Sequence, residues 1–126
     1  MMNGIVDQNC EATLRLVISK ETKKGQVIDA VIDTGFTGFL TLPLSVISSL
    51  DLELYSREEG TLGDGSTRIF DVYTGLVIWD GEYREIDVNA AETDPLVGMS
   101  LIYGYRMQLD AVEGGLVMLQ ALSSLE

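Results

Sequence analysis

Apolar and polar positions alternate with a period of two along much of this chain. Leu14, Leu16 and Ile18 are separated by Arg15 and Val17 and flanked by Thr13 and Ser19. Successive side chains of an extended segment point to opposite faces, so this spacing predicts a half-buried strand from Ala12 to Ser19. Glu21-Thr22-Lys23-Lys24-Gly25 is a polar turn, and Gln26 to Ile32 returns as a second, antiparallel strand. Pro43 suits the first turn of a short helix carrying Leu44, Val46, Ile47 and Leu50, after which Asp51-Leu52-Glu53-Leu54 alternates again as the next strand begins.

Thr67 to Trp79 is rich in β-branched and aromatic residues, among them Ile69, Phe70, Val72, Tyr73, Val77 and Ile78. Asp80-Gly81 is a strong hairpin signal, with Glu82 to Val88 as the returning strand. Met99 to Tyr103 fits a helical turn or two. Tyr105 to Leu109 and Leu116 to Leu119 form a last hairpin across Glu113-Gly114-Gly115. Short strands in close succession, with one or two short helices and no repeat, linker or low-complexity segment, predict an all-β fold built as a closed or partly closed barrel.

The chemistry of the chain concentrates where the second strand ends. Val27-Ile28-Asp29-Ala30-Val31-Ile32 runs into Asp33-Thr34-Gly35, which sets a carboxylate on a tight turn with a hydroxyl beside it. On its own the tripeptide also describes an ordinary turn, in which Asp bonds its own backbone and Gly takes a positive φ. The turn continues as Phe36-Thr37-Gly38-Phe39-Leu40-Thr41-Leu42-Pro43, and further along stands Leu96-Val97-Gly98, two aliphatics and a glycine before a helix-compatible stretch. Between them, Glu59-Gly60-Thr61-Leu62-Gly63-Asp64-Gly65-Ser66-Thr67 is a turn-rich segment flanked by strand formers.

This order resembles the retropepsin-like aspartic proteases over roughly residues 11 to 120 of the single domain expected for 1 to 126. The resemblance implies an acid-protease barrel, with Asp33 as the catalytic carboxylate and Thr34 and Gly35 supporting its loop. It also implies a flap over an extended peptide formed by Leu62, Gly63, Asp64 and Gly65, and Leu96, Val97 and Gly98 packed beneath the loop. The implied activity is an aspartic endopeptidase needing no metal and no organic cofactor. Thr34 is then a brace across a dimer rather than a nucleophile. Two departures stand out: Phe36 replaces the small residue usual after the glycine, and Met99-Ser100 replaces the Arg-Asp/Asn pair that often follows the second glycine. Phe36 is read as a core side chain before a site-lining one.

With 126 residues the chain suffices for one core but not for a two-lobed, two-aspartate protease. A single Asp-Thr-Gly therefore predicts a homodimer in which each copy supplies Asp33. The alternative is a catalytically inactive relative that keeps the barrel as a peptide-binding or dimerisation module, and a further one is an unrelated β-barrel binding protein.

A formal charge of −12, from 20 acidic and 8 basic residues, argues against nucleic acid as a partner and reads as solubility and mutual repulsion between copies. The chain has no histidine, which excludes Ser-His-Asp and Cys-His catalysis and His-based zinc sites. Asp64 lacks the spacing of a calcium loop and reads as a solvated turn residue. Cys10 is the one cysteine, so no disulfide forms within the chain and the residue reads as incidental. No apolar run is long enough to span a bilayer, and a soluble, cytoplasmic protein is the expectation.

Overall fold

The computed structural model describes residues 1–61 and 63–123. Among them are ten strands, β1 (Met2–Val6), β2 (Ala12–Ser19), β3 (Gln26–Ile32), β4 (Leu40–Leu42), β5 (Glu53–Thr61), β6 (Thr67–Trp79), β7 (Glu82–Ala90), β8 (Leu96–Val97), β9 (Tyr105–Leu109) and β10 (Leu116–Ala121). Two short helices accompany them, α1 (Leu44–Leu50) and α2 (Met99–Ile102).

One sheet holds all the strands, in the order β5-β6-β7-β4-β8-β3-β2-β1-β10-β9. Because β6 also pairs with β2, through Ile18↔Val77 and Ser19↔Leu76, the run β6-β7-β4-β8-β3-β2 closes on itself as a barrel. Closure satisfies the backbone of those strands without a free edge. β5 extends from one side of the closure, while β1, β10 and β9 form a wing on the other. The expected all-β barrel with short helices is thus what the chain forms.

The alternation of β2 is realised as burial: Leu14, Leu16 and Ile18 point inward while Arg15 is exposed. They meet Ile28 and Ala30 of β3, Val77 and Trp79 of β6, and Val88 of β7 in one hydrophobic cluster. The β2–β3 hairpin is antiparallel over Thr13↔Val31 to Ile18↔Gln26, so the two strands deliver Asp33 as their spacing predicts.

Pro43 is the N-cap of α1 rather than a residue of its first turn, with φ −67° and ψ 151°. Its fixed φ suits that position, and Asp51, in a left-handed conformation, ends the helix by donating its N–H to Ile47 and Ser48 carbonyls.

β1, β4 and β8 carry no alternation long enough to announce them; each is a strand because a neighbour supplies its hydrogen bonds. β5 likewise continues through Glu59-Gly60-Thr61, a stretch that reads as turn, because those residues pair with Ile69, Arg68 and Thr67 of β6. Gly60 lies under the Phe70 ring, where an added Cβ would come within 2.6 Å of it. Cys10 is exposed in a turn with φ 61°. Among the described residues no helix is long and apolar enough to cross a membrane, and no group of three or more His, Cys, Asp or Glu could hold a metal ion.

Candidate active site

β8 runs between β3 and β4. It is parallel to β3 through Val31↔Leu96 and Ile32↔Val97, and antiparallel to β4 through Leu40↔Val97 and Thr41↔Leu96. The segment from Asp33 to Phe39 must therefore loop over the end of β8 to get from one flank to the other. Backbone bonds pin it at both ends: Asp33 N–H donates to the Val97 carbonyl at 2.9 Å, and Gly98 N–H donates to the Phe39 carbonyl at 3.0 Å.

α2 supplies the rest of the support. Met99 N–H donates to the Phe36 carbonyl at 2.8 Å, Ser100 N–H to the Gly38 carbonyl at 3.1 Å, and Ser100 Oγ–H to the Thr37 carbonyl at 2.5 Å. These contacts place Leu96, Val97 and Gly98 directly against the Asp33 loop. The approach is closest at Gly98, where a Cβ would fall 2.2 Å from the Gly38 carbonyl oxygen and 2.6 Å from the Phe36 ring. Only a residue without a side chain fits there.

Within the loop, Asp33 Oδ1 accepts the Gly35 N–H at 2.9 Å, and the Phe36 N–H donates to the Asp33 carbonyl at 3.1 Å. Oδ2 has no hydrogen-bond partner among the described residues. The carboxylate is thus oriented through one oxygen and open through the other, which leaves Oδ2 free to bond a water molecule or a second group. Thr34 and Gly35 are exposed beside it. Gly35 does not have the positive φ that an isolated Asp-Thr-Gly turn would predict, because the loop is shaped by β8 and α2 rather than by a local turn.

Phe36 is half-buried and lies outside the main hydrophobic cluster. Its ring sits over Gly38 and Gly98 instead, so the core position read from its hydrophobicity gives way to a place on the loop itself. Two bare glycine surfaces offer the ring a closer seat than the filled barrel interior does.

The segment read as a flap from the sequence belongs to the β5–β6 hairpin, paired as far as Thr61↔Thr67. Leu62 lies outside the described residues. At the tip, Asp64 Oδ1 accepts both the Ser66 N–H at 2.9 Å and the Ser66 Oγ–H at 2.6 Å. Those bonds, the hydroxyl foremost, hold the Asp64 carboxyl below its ordinary pKa. Gly65 adopts φ +85°, which the tip needs a glycine to reach, and around Gly63 there is open space. Among the described residues no hydrogen bond joins Gly63, Asp64 or Gly65 to the Asp33 loop. The fold therefore unites Asp33, Thr34 and Gly35 with Leu96, Val97 and Gly98 and leaves the hairpin tip apart.

Concavities of about 350 to 460 Å³ on the chain are lined by residues other than Asp33. One of them, about 400 Å³, borders α2 and is lined by Phe39, Arg84, Met99, Ser100 and Tyr103. Arg84, from β7, stacks its guanidinium 5.4 Å from the centre of the Phe39 ring and donates to the Leu101 carbonyl at 3.4 Å. Nothing in the local sequence around Glu82 to Glu85 points to that contact.

Several solved structures share this architecture. A retropepsin-like aspartic protease from Rickettsia conorii superposes with a TM-score of 0.59 at 14% identity, over 97% of this chain and 91% of that one. The fold is retropepsin-like. EIAV protease complexed with the inhibitor HBY-793 superposes with a TM-score of 0.54 at 16% identity, over 73% of this chain and 85% of that one. No family model matches the chain, and no curated protein matches it.

Within the retropepsin-like frame, the departure at Met99-Ser100 acquires a structural meaning. Ser100 reaches the loop through its hydroxyl, and among the described residues the arginine that bonds to α2, Arg84, comes from β7 rather than from the position after Gly98. The loop is held by neutral hydrogen bonds and a stacked cation.

Proposed function

We propose that the chain is an aspartic endopeptidase acting as a homodimer, in which the Asp33 carboxylates of two copies face each other across a twofold axis. The observation that carries this reading is the Asp33 carboxylate itself, fixed by the Gly35 N–H with its second oxygen open, on the loop between β3 and β4 of a retropepsin-like barrel. The chain has one such loop and so holds half of a two-carboxylate site.

Two carboxylates about 3 Å apart cannot both ionise cheaply, so they share a proton. The charged one takes a proton from a water molecule, which attacks the scissile carbonyl. The neutral one donates its proton to the carbonyl oxygen, and a tetrahedral intermediate forms with no covalent link to the protein. Proton donation to the amine nitrogen then releases the two peptides. Thr34 braces the paired loops, the β5–β6 hairpin closes over the substrate, and the substrate backbone adds to it as a strand adds to a sheet edge.

The test is cleavage of a mixed peptide library by the purified chain and by Asp33→Asn. The near-isosteric variant is expected to keep the wild-type circular dichroism and melting temperature while losing hydrolysis. Wild-type turnover by Asp33→Asn would refute the assignment, as would a folded, dimeric wild type that cleaves no peptide of the library.

A further inference from the structure

β7 pairs with β6 through Val77↔Arg84, Gly75↔Ile86 and Tyr73↔Val88. Side chains alternate along a strand, so Arg84 projects to the same face as Ile86 and Val88. That face is the barrel interior: Ile86, Val88 and the opposing Val77 are buried, and Arg84 is half-buried beside them. A cation withdrawn from water beside an apolar face ordinarily has a carboxylate for a partner. Arg84 makes no salt bridge among the described residues, although the chain holds 20 acidic residues. Asp80 and Glu82 border a concavity that Arg84 also lines, yet neither pairs with it, and the Asp80 oxygens bond to the Met1 ammonium and the Tyr105 hydroxyl.

The guanidinium turns instead to the support of the Asp33 loop. It stacks 5.4 Å from the centre of the Phe39 ring, where the loop ends, and its Nη1–H donates to the Leu101 carbonyl of α2 at 3.4 Å. The last carbonyls of a helix have no partner within it, and α2, four residues long, has no basic residue in its last turn. Arg84 fills from β7 the place that a Lys or Arg of the helix itself often takes. Phe39 in turn accepts the Gly98 N–H, while Met99 and Ser100 N–H reach the Phe36 and Gly38 carbonyls. One side chain thus joins the far end of the loop to the helix that holds it, with no hydrogen bond of its own to Asp33, Thr34 or Gly35 among the described residues.

We infer that Arg84 is a positioning residue for the two-carboxylate site: by holding Phe39 against α2, its guanidinium fixes where the loop that carries Asp33 sits. Planarity is what the role needs, because the group stacks on a ring face and donates from its edge at the same time. Lys, a point charge on a flexible stem, supplies the charge without that pair of contacts. The site is demanding in geometry, since two carboxylates have to share one proton, and a displacement of about 1 Å at a reacting group costs on the order of 100-fold in rate. For its catalytic consequence this inference rests on the homodimeric protease proposed above; the clamp itself belongs to the single chain.

Residue-resolved amide hydrogen exchange and steady-state peptide cleavage test it, on the wild type, Arg84→Met and Arg84→Lys. Arg84→Met keeps the apolar stem and loses both the stack and the donor. Its Gly98, Met99 and Ser100 amides are expected to exchange about tenfold faster, while the paired amides of β2 and β3 keep their wild-type rates. Its kcat is expected to fall roughly tenfold with KM within about twofold, because the carboxylates rather than the substrate contacts are displaced. Arg84→Lys should lie between the two in both readouts. A merely structural role would speed all of these amides together and leave kcat per folded molecule unchanged, and that result would overturn the inference. If Arg84→Met does not fold, loosened loop amides with a lowered kcat in Arg84→Lys support the inference, and wild-type values of both overturn it. An active wild type whose loop amides and kcat are indifferent to Arg84→Met would sink the inference and leave the protease assignment standing. A wild type that cleaves no peptide, with loop amides loosened in Arg84→Met, would remove the protease assignment and leave the clamp.

Discussion

Gly98 shows how closely the Asp33 loop depends on single atoms. Its missing side chain lets the Gly38 carbonyl and the Phe36 ring approach, and the clash that a Cβ would make involves backbone, which cannot rotate away. Gly98→Ala is expected to destabilise the fold by about 1–3 kcal/mol through overpacking and to lower activity by more than the stability loss explains, since it displaces the loop that carries Asp33. Thermal melts paired with kcat/KM check both halves of that expectation. Thr34 is exposed on the single subunit, so Thr34→Ala should leave the monomer's melting temperature unchanged. Under the proposed dimer it loses a cross-subunit hydrogen bond worth about 0.5–1.5 kcal/mol, seen as weaker dimerisation in sedimentation.

The β5–β6 hairpin is ordered at its tip by a charge-assisted contact. Asp64 has a folded pKa below its ordinary value because Ser66 donates to its carboxylate. A depressed carboxylate pKa favours the folded tip at pH above the ordinary carboxylate value, and this contribution fades as pH falls through the lowered folded value. If the hairpin closes over substrate as proposed, Asp64→Ala should therefore lower kcat/KM a few-fold near pH 5 to 7 by leaving the hairpin tip less ordered. The gap between variant and wild type should narrow once the pH drops below the ordinary carboxylate range. A pH series of kcat/KM on the two proteins measures this directly, and a gap that widened toward acid would contradict the role given to the Ser66 contact.

For the molecule as a whole, net charge and the shared proton of the proposed two-carboxylate site act in the same direction. A formal charge of −12 at pH 7 opposes the meeting of two copies, and protonation of surface carboxylates relieves that repulsion. A pair of carboxylates that must hold one proton between them also works best when the solution can supply it. The rate of peptide cleavage is expected to follow a bell-shaped pH profile with its maximum on the acid side of neutrality, and to be unaffected by chelators. A rate rising steadily into alkaline solution, measured at a fixed dimer fraction, would contradict the two-carboxylate mechanism.

Much of the architecture follows from local pattern. The alternation in β2, the β-branched run of β6, the Asp80-Gly81 turn and the polar turn before β3 each encode their own element, because side-chain period and turn chemistry are properties of neighbouring residues. Asp33-Thr34-Gly35 and Leu96-Val97-Gly98 were legible for the same reason, as short strings at the ends of strands. Other features depend on partners distant in the chain. β1, β4 and β8 are strands only because β10, β7 and β3 offer them hydrogen bonds, and β5 overrides a turn-like Glu59-Gly60-Thr61 because β6 lies beside it. Phe36 looks like a core residue by composition, yet Gly38 and Gly98 give its ring a place on the loop. The reach of Arg84 to Phe39 and Leu101, and the place of β9 at the end of the sheet, exist only once the sheet has closed. Sequence alone thus determined the elements with a pattern of their own and the carboxylate that β2 and β3 deliver, since those rest on local geometry, whereas tertiary structure decided the remaining strands, how that carboxylate is held and which edge is left open, since all depend on which distant strands pair.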